Sequence, residues 1–349
     1  WSSDVCSSDL RRQEIPDAPR RTQNRLLEQR RFDPTEPFRN EPDTDWSLSQ
    51  NREWIRAYVD RWKNADLPEP QALAKSDEVE RALQKAVSAR ADWSTTSIAD
   101  RRALLCRVAE VLAERRGELL GVMMRDAAKG VAEGDAEVSE SIDFANYYAR
   151  AFDGINVDSI EPLDSVLVTP PWNFPLAIPA GGVFAALMAG NTVILKPAPE
   201  TVLTAWHLAN AIWDAGVPRD AMQFLPTTDD EVGQASVTDA RVSAVILTGS
   251  YETARLFKSW KPELRLIAET SGKNSIIVSA LSDRDQAIKD ILRSAFGLRE
   301  GGALYFMPAI NQTKLGEAIA GVQISAVLSR LHVPVRATQS RLVNWQHLR

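Results

Sequence analysis

The 349-residue chain is poor in residues that anchor metals or covalent cross-links, with two cysteines, Cys6 and Cys106, and three histidines, His207, His332 and His347. Two cysteines cannot build a disulfide framework, which fits a reducing compartment such as the cytoplasm. The histidines are scattered without the short spacings that gather zinc, so no metal centre is expected. Long hydrophobic runs are also lacking. The least charged stretch, Leu176 to Gly190, contains Pro179 and three glycines. It falls short of the roughly 20 apolar residues that a membrane-spanning helix needs. Positive charge is not in excess either: 41 Lys and Arg against 47 Asp and Glu give a net charge of −6. That balance speaks against affinity for nucleic-acid phosphates. Neither GxGxxG nor GxxxxGK followed by Ser or Thr occurs, so the usual dinucleotide fingerprint and the nucleotide P-loop are both missing.

What is present is the composition of a globular protein, 44% hydrophobic and 25% charged, long enough for about two domains. The first ten residues, WSSDVCSSDL, fit the codons of a common sequencing-adapter oligonucleotide translated in frame. They are set aside from fold reasoning, and Cys6 with them. No Met stands first, so the natural amino end is expected upstream. Residues 11–47 are rich in Arg, Pro, Asp and Asn without apolar periodicity, which predicts an extended or disordered arm.

Residues 48 to 153 follow a helical rhythm. In IADRRALLCRVAEVLAERRGELLGVMM, Leu105, Val108, Ala109 and Leu112 form one stripe with charges opposite. Cys106 lies about 100° around the helix from Leu105, at the stripe's edge. A half-buried structural thiol is expected there, since nothing nearby would lower its pKa.

After Gly154 short β-rich runs alternate with helical ones. SVLVT, NTVILKP, AMQFLPT, SAVILTG and LRLIAE are candidate strands, and GGVFAALMAG, ETVLTAWHLANAIWDAG, DDEVGQAS and SYETARLFKSW candidate helices. The alternation predicts a parallel sheet with helices on both faces. KNSIIVSAL reads as a further strand and DRDQAIKDILRSAFG as an amphipathic helix. A doubly wound sheet binds ligands at the carboxyl ends of its strands. Asn173, Lys196, Gly249 with Ser250, and Glu269 all follow candidate strands, so one rim is expected to carry all four clusters. Ser250 can cap the helix after it and leave amide donors exposed at its amino end, a setting that attracts phosphate.

Four blocks, PPWNFPLAIPAGG, AGNTVILKPAPET, LTGS and ETSGKN, resemble in order and spacing the signature blocks of the NAD(P)-dependent aldehyde dehydrogenases. Upstream, FDPTEPFRNEPDTDWSLSQNREWIRAYVDRW resembles the entry to the L-glutamate γ-semialdehyde dehydrogenase half of bifunctional proline dehydrogenase proteins. The resemblance runs from about Phe32 to Gly297. It implies a Rossmann-like doubly wound α/β sheet with an incomplete catalytic domain. On that resemblance a helical layer and the NAD(P)-binding domain occupy residues 48–268, the catalytic domain starts over 269–297, and 298–349 is an unassigned tail. The resemblance implies L-glutamate γ-semialdehyde as the substrate, oxidised to glutamate in proline catabolism, and a proline dehydrogenase domain preceding this region in the parent chain, with oligomeric state left open.

The resemblance also assigns residues. Aldehyde oxidation needs a thiolate nucleophile, donors for the oxyanion it creates, and a base for the hydrolytic water. Asn173 matches the side-chain donor and Glu269 the base, held in a partly dry cleft where its pKa can rise. Lys196 matches the contact to the adenosine ribose, Gly249 and Ser250 flank the pyrophosphate, and Gly233 lies on the adenine-side helix. Trp172 would pack near the nicotinamide and substrate channel, an ordinary core tryptophan being the alternative. Many members carry a glutamate three residues after the lysine. Here that position is Pro199 and Glu200 follows, so this position does not choose between the two cofactors; the resemblance implies NAD, with NADP left open.

The pattern then breaks. The nucleophilic cysteine of the family loop FGHAGQKC would fall at residue 303, 34 positions after Glu269, and that residue is Ala303. A methyl group cannot form the covalent intermediate, and such a loss removes orders of magnitude of turnover. The abrupt departure after Gly297 fits a frameshift, a chimeric join or a truncated gene. A non-catalytic dinucleotide-binding module is the alternative reading.

Overall fold

The computed structural model of the protein describes residues 21–64, 75–156, 160–271, 283 and 285–288. The first ten residues, KNSIIVSAL, most of DRDQAIKDILRSAFG, and Ala303 lie outside the described residues. Among the described residues six helices precede the first strand: α1 (Ser49–Asn64), α2 (Ser76–Ser88), α3 (Arg90–Thr95), α4 (Ile98–Glu114), α5 (Arg116–Asp126) and α6 (Val131–Tyr148). Strands and helices then alternate as β1 (Ser165–Thr169), α7 (Ala177–Met188), β2 (Thr192–Leu195), α8 (Val202–Asp214) and β3 (Met222–Phe224). The second half follows as α9 (Glu231–Thr238), β4 (Ala244–Gly249), α10 (Tyr251–Trp260) and β5 (Leu266–Thr270). Each of the five apolar runs is a strand.

All neighbouring strands are parallel and their order is β3-β2-β1-β4-β5. The chain therefore enters at the centre, winds to one edge and returns to wind to the other. The order reverses between β1 and β4, which is where such sheets open a crevice for ligands.

Side chains alternate between two cores. Val166, Val168, Val193, Leu195 and Ala244 join the core with Leu105, Leu112, Ile142, Phe184 and Leu208 from α4, α6, α7 and α8. Leu167, Ile194, Val245 and Leu247 face the other way, against Val79 and Leu83 of α2, Val237 of α9 and Phe257 of α10. Strands covered on both faces need apolar residues at consecutive positions, which explains the unbroken runs in the sequence. Gly182 brings α7 close to β1: a Cβ there would stand 2.9 Å from Val168 Cγ1.

The single helical stretch read from the sequence is two helices, α4 and α5, that meet at Arg115. Its apolar stripe behaves as expected, with Leu105, Val108, Ala109 and Leu112 all buried. Among the described residues no helix is long and apolar enough to cross a membrane.

Residues 21–48 are the described part of the arm expected to be extended or disordered. They carry turns but neither helix nor strand, and they are docked rather than disordered. Glu41 is the reason: its carboxylate accepts from Arg30 Nη2 at 2.7 Å, Arg116 Nη2 at 3.1 Å and Arg25 Nη1 at 3.4 Å. Thr44 donates its backbone amide (2.5 Å) and its hydroxyl (2.7 Å) to Asp135 of α6, which also accepts from Arg116 Nη1 at 2.8 Å. The side chains of Glu41, Asp135, Arg116 and Arg25 are each no more than 4% exposed. Charges that composition assigns to solvent are instead paired with one another inside the protein.

Removing one member of such a group leaves unpaired buried charge, which costs roughly 3–5 kcal/mol. Glu41→Ala is expected to lower stability by about that amount in denaturant unfolding. A loss below about 0.5 kcal/mol, the range of ordinary surface substitutions, would show that the arm does not depend on this cluster.

Candidate functional site

The backbone N–H of Lys196, one residue past β2, still donates to the Val168 carbonyl at 2.9 Å, so the residue is held in register with β1. Its side chain is 8% exposed and its ammonium reaches Asp229 at 2.7 Å, Asp229 itself being 72% exposed. An ammonium has three donors. Among the described residues Asp229 is its one partner, which leaves capacity for a ligand.

The lysine lines a cleft of about 210 Å³ over the carboxyl ends of β1, β2 and β4. Trp172, Gly233, Gly249 and Ser250 line the same cleft, with Leu256, Phe257 and Trp260 of α10 forming an apolar wall. Five residues proposed from the sequence thus share one site. A second cleft, about 380 Å³ between the arm, α1 and α5, is lined by Arg25, Arg30 and Arg116. Those guanidinium groups are already bound to Glu41, Glu28 and Asp135, which makes the cleft at the sheet rim the better candidate.

Gly233 sits in the first turn of α9. A Cβ there would stand 2.4 Å from the Thr228 carbonyl oxygen and 3.4 Å from Lys196 Cε. Glycine is required for α9 to pack this tightly against the segment carrying Asp229. Ser250 caps α10 as expected, its Oγ accepting the Thr253 amide at 3.0 Å. The expectation of freely exposed amides needs correction, because Ser271 Oγ also accepts the Tyr251 amide at 3.1 Å. Two of the first three amides of α10 are satisfied by the chain itself.

Asn173 and Glu269 stand outside the cleft lining. Asn173 is half-buried in the turn between β1 and α7, one residue from Trp172, and its side chain has no hydrogen-bond partner among the described residues. Glu269 is in register with Thr248, a cleft residue. It is exposed rather than placed in a partly dry cleft. Among the described residues β5 is an edge strand of the sheet, Ile267 within it is 50% exposed, and no described residue covers that face. The rim therefore gathers Lys196, Gly249 and Ser250 closely and the two remaining groups only loosely.

Sequence reading missed Asp229 and the apolar wall. The wall had a signal: Thr253, Leu256, Phe257 and Trp260 follow the i, i+3, i+4, i+7 spacing of one helical face. Asp229 had none, since 33 residues separate it from Lys196.

A parallel sheet covered on both faces, with a cation-bearing cleft at its switch point, defines a doubly wound, Rossmann-like α/β domain with a ligand-sized cleft. The model of the family "Aldehyde dehydrogenase family" matches residues 59–300, and the chain belongs to that family. It is 40% identical over 233 residues to the bifunctional protein PutA of Salmonella typhimurium, covering 64% of this chain and 18% of that protein. It is 32% identical over 311 residues to the 1-pyrroline-5-carboxylate dehydrogenase of Staphylococcus haemolyticus, covering 75% of this chain and 60% of that protein. Among solved structures, a mutant of 1-pyrroline-5-carboxylate dehydrogenase from Thermus thermophilus superposes with a TM-score of 0.69 at 30% identity, over 75% of this chain and 61% of that one. The chain thus spans less than two thirds of the length of these relatives.

Cys106 is more deeply placed than expected, 5% exposed within the core of α4. Burial pushes its thiol pKa up, with smaller opposing effects from nearby arginines. A raised pKa keeps the thiol protonated at a pH where an exposed cysteine is half ionised, near 8.5. Iodoacetamide at pH 8.5 is expected to label Cys106 at least about tenfold more slowly in the native protein than in urea. Peptide mapping that finds equal rates would contradict this placement.

Proposed function

We propose that the chain is the dinucleotide-binding part of a cytoplasmic aldehyde dehydrogenase of the L-glutamate γ-semialdehyde type, using NAD, with NADP as the alternative. One observation carries the reading: Lys196, Gly249 and Ser250 meet in a single cleft at the switch point of the sheet. The donor set fits a dinucleotide, since an under-used ammonium suits ribose hydroxyls or phosphate and the flat apolar wall of α10 suits a base. In a parent enzyme that carries the nucleophilic cysteine, the bound dinucleotide would accept a hydride from the carbon to which the thiolate has added, and the two residues that follow would serve that reaction. Asn173 would donate to the carbonyl oxygen as negative charge gathers there. Glu269 would take a proton from the attacking water, at the start of a catalytic domain that begins with this residue.

The substrate assignment rests on the relatives, which are named 1-pyrroline-5-carboxylate dehydrogenase and PutA. One neighbour, a 1-pyrroline-5-carboxylate dehydrogenase from Thermus, was determined with bound NAD. A proline dehydrogenase domain upstream in the parent protein belongs to the same proposal. Ala303 stands at the nucleophile position, so the chain binds the dinucleotide without turning over aldehyde.

Calorimetric titration with NAD is expected to give saturable one-to-one binding. Lys196→Met should weaken it about tenfold, the worth of a hydrogen bond to a charged group. Absence of binding at millimolar NAD would refute the proposal. In an NADH absorbance assay with L-glutamate γ-semialdehyde, no steady rise is expected, and sustained turnover would refute the role given to Ala303.

A further inference from the structure

Directly beneath the turn that carries Asn173 lies a buried ion pair. Glu137 of α6 is 2% exposed and Lys129, in the loop before α6, is 5% exposed. One oxygen of Glu137 accepts the backbone amides of Leu176, the residue that caps α7, at 2.8 Å and of Ala177, its first residue, at 3.0 Å. The other oxygen pairs with Lys129 Nζ. That ammonium also stands 4.2 Å from the ring centroid of Phe174, the residue after Asn173. Ala128, immediately before the lysine, holds φ at 53°, a left-handed conformation that a non-glycine residue adopts at a cost. The loop is bent into strain just where it delivers Lys129.

Burying two charges is unfavourable unless their partners are well placed. Here the partners are the amino end of α7, whose dipole favours an anion, and an aromatic face, which favours a cation. The aromatic face belongs to the Trp172–Phe174 turn itself, and the amides bound by Glu137 follow it within three residues. We propose that Glu137 and Lys129 are positioning residues: Glu137 fixes the start of α7 and Lys129 fixes Phe174, and between them they set where the Asn173 amide points. This rests on the reading of Asn173 as the donor to a carbonyl oxygen. It adds that the donor's placement depends on charges in the helical layer, outside the cleft.

The test needs no turnover. In full-length protein labelled with ¹⁵N-asparagine, the side-chain signal of Asn173 is assigned by its loss in Asn173→Asp. Glu137→Ala is expected to shift or broaden that signal and to speed exchange of the Leu176 and Ala177 amides about tenfold, as for a lost helix cap. Glu137→Gln retains an acceptor and is expected to keep both amides protected. Lys129→Met leaves the Glu137 carboxylate on α7, so it should move the Asn173 signal while the amides stay protected. If Glu137→Ala does not fold, Lys129→Met decides alone. An Asn173 signal that stays in place in every folded variant overturns the proposal, even where the melting temperature drops. NAD calorimetry on the same variants reports separately on the dinucleotide reading, whose failure would leave the positioning result intact.

Discussion

Burial of β1, β2 and β4 on both faces is the constraint from which the rest of the structure follows. These strands run parallel, and parallel neighbours need crossovers, here helices on either side of the sheet. Their carboxyl ends then fall on one edge, whatever residues follow them. Lys196, Ser250 and Trp172 meet because each lies just past a strand end, not because they attract one another. The cleft is a consequence of topology, and the chemistry is set by which side chains the chain places after each strand.

A second constraint comes from charge inside the helical layer. α6 buries two carboxylates on the same helix, two residues apart. Asp135 ties the arm through Thr44 and Arg116, and Glu137 ties α7 through its first amides. Unpaired, either would be strongly unfavourable. Fully paired, they restrict the arm and the start of α7 to one arrangement each. The helical layer is therefore more than a cover for the sheet, because it fixes what approaches the sheet's rim.

Much of this was legible in the sequence, for identifiable reasons. The five strands were readable because doubly buried strands are short, apolar and punctuated by turns. The cap at Ser250 was readable because it is a local interaction. What escaped depended on long-range pairing. Glu41 and Thr44 sit in a segment whose composition suggests solvent, and only Asp135, about ninety residues away, turns them inward. Lys129 and Glu137 look like surface residues of an amphipathic helix and its loop. Glu269 was legible as a strand-end carboxylate, but its exposure depends on what packs over the edge strand, which no local pattern encodes.

The measurement that bears most directly on the central claim is a crystal structure of the chain grown with saturating NAD. Density for the dinucleotide is expected in the cleft at the β1/β4 switch point, with Lys196 and the Ser250 end of α10 in contact and the α10 wall against the base. A dinucleotide bound elsewhere on the molecule, or an empty cleft beside a well-ordered Lys196–Asp229 pair, would contradict it.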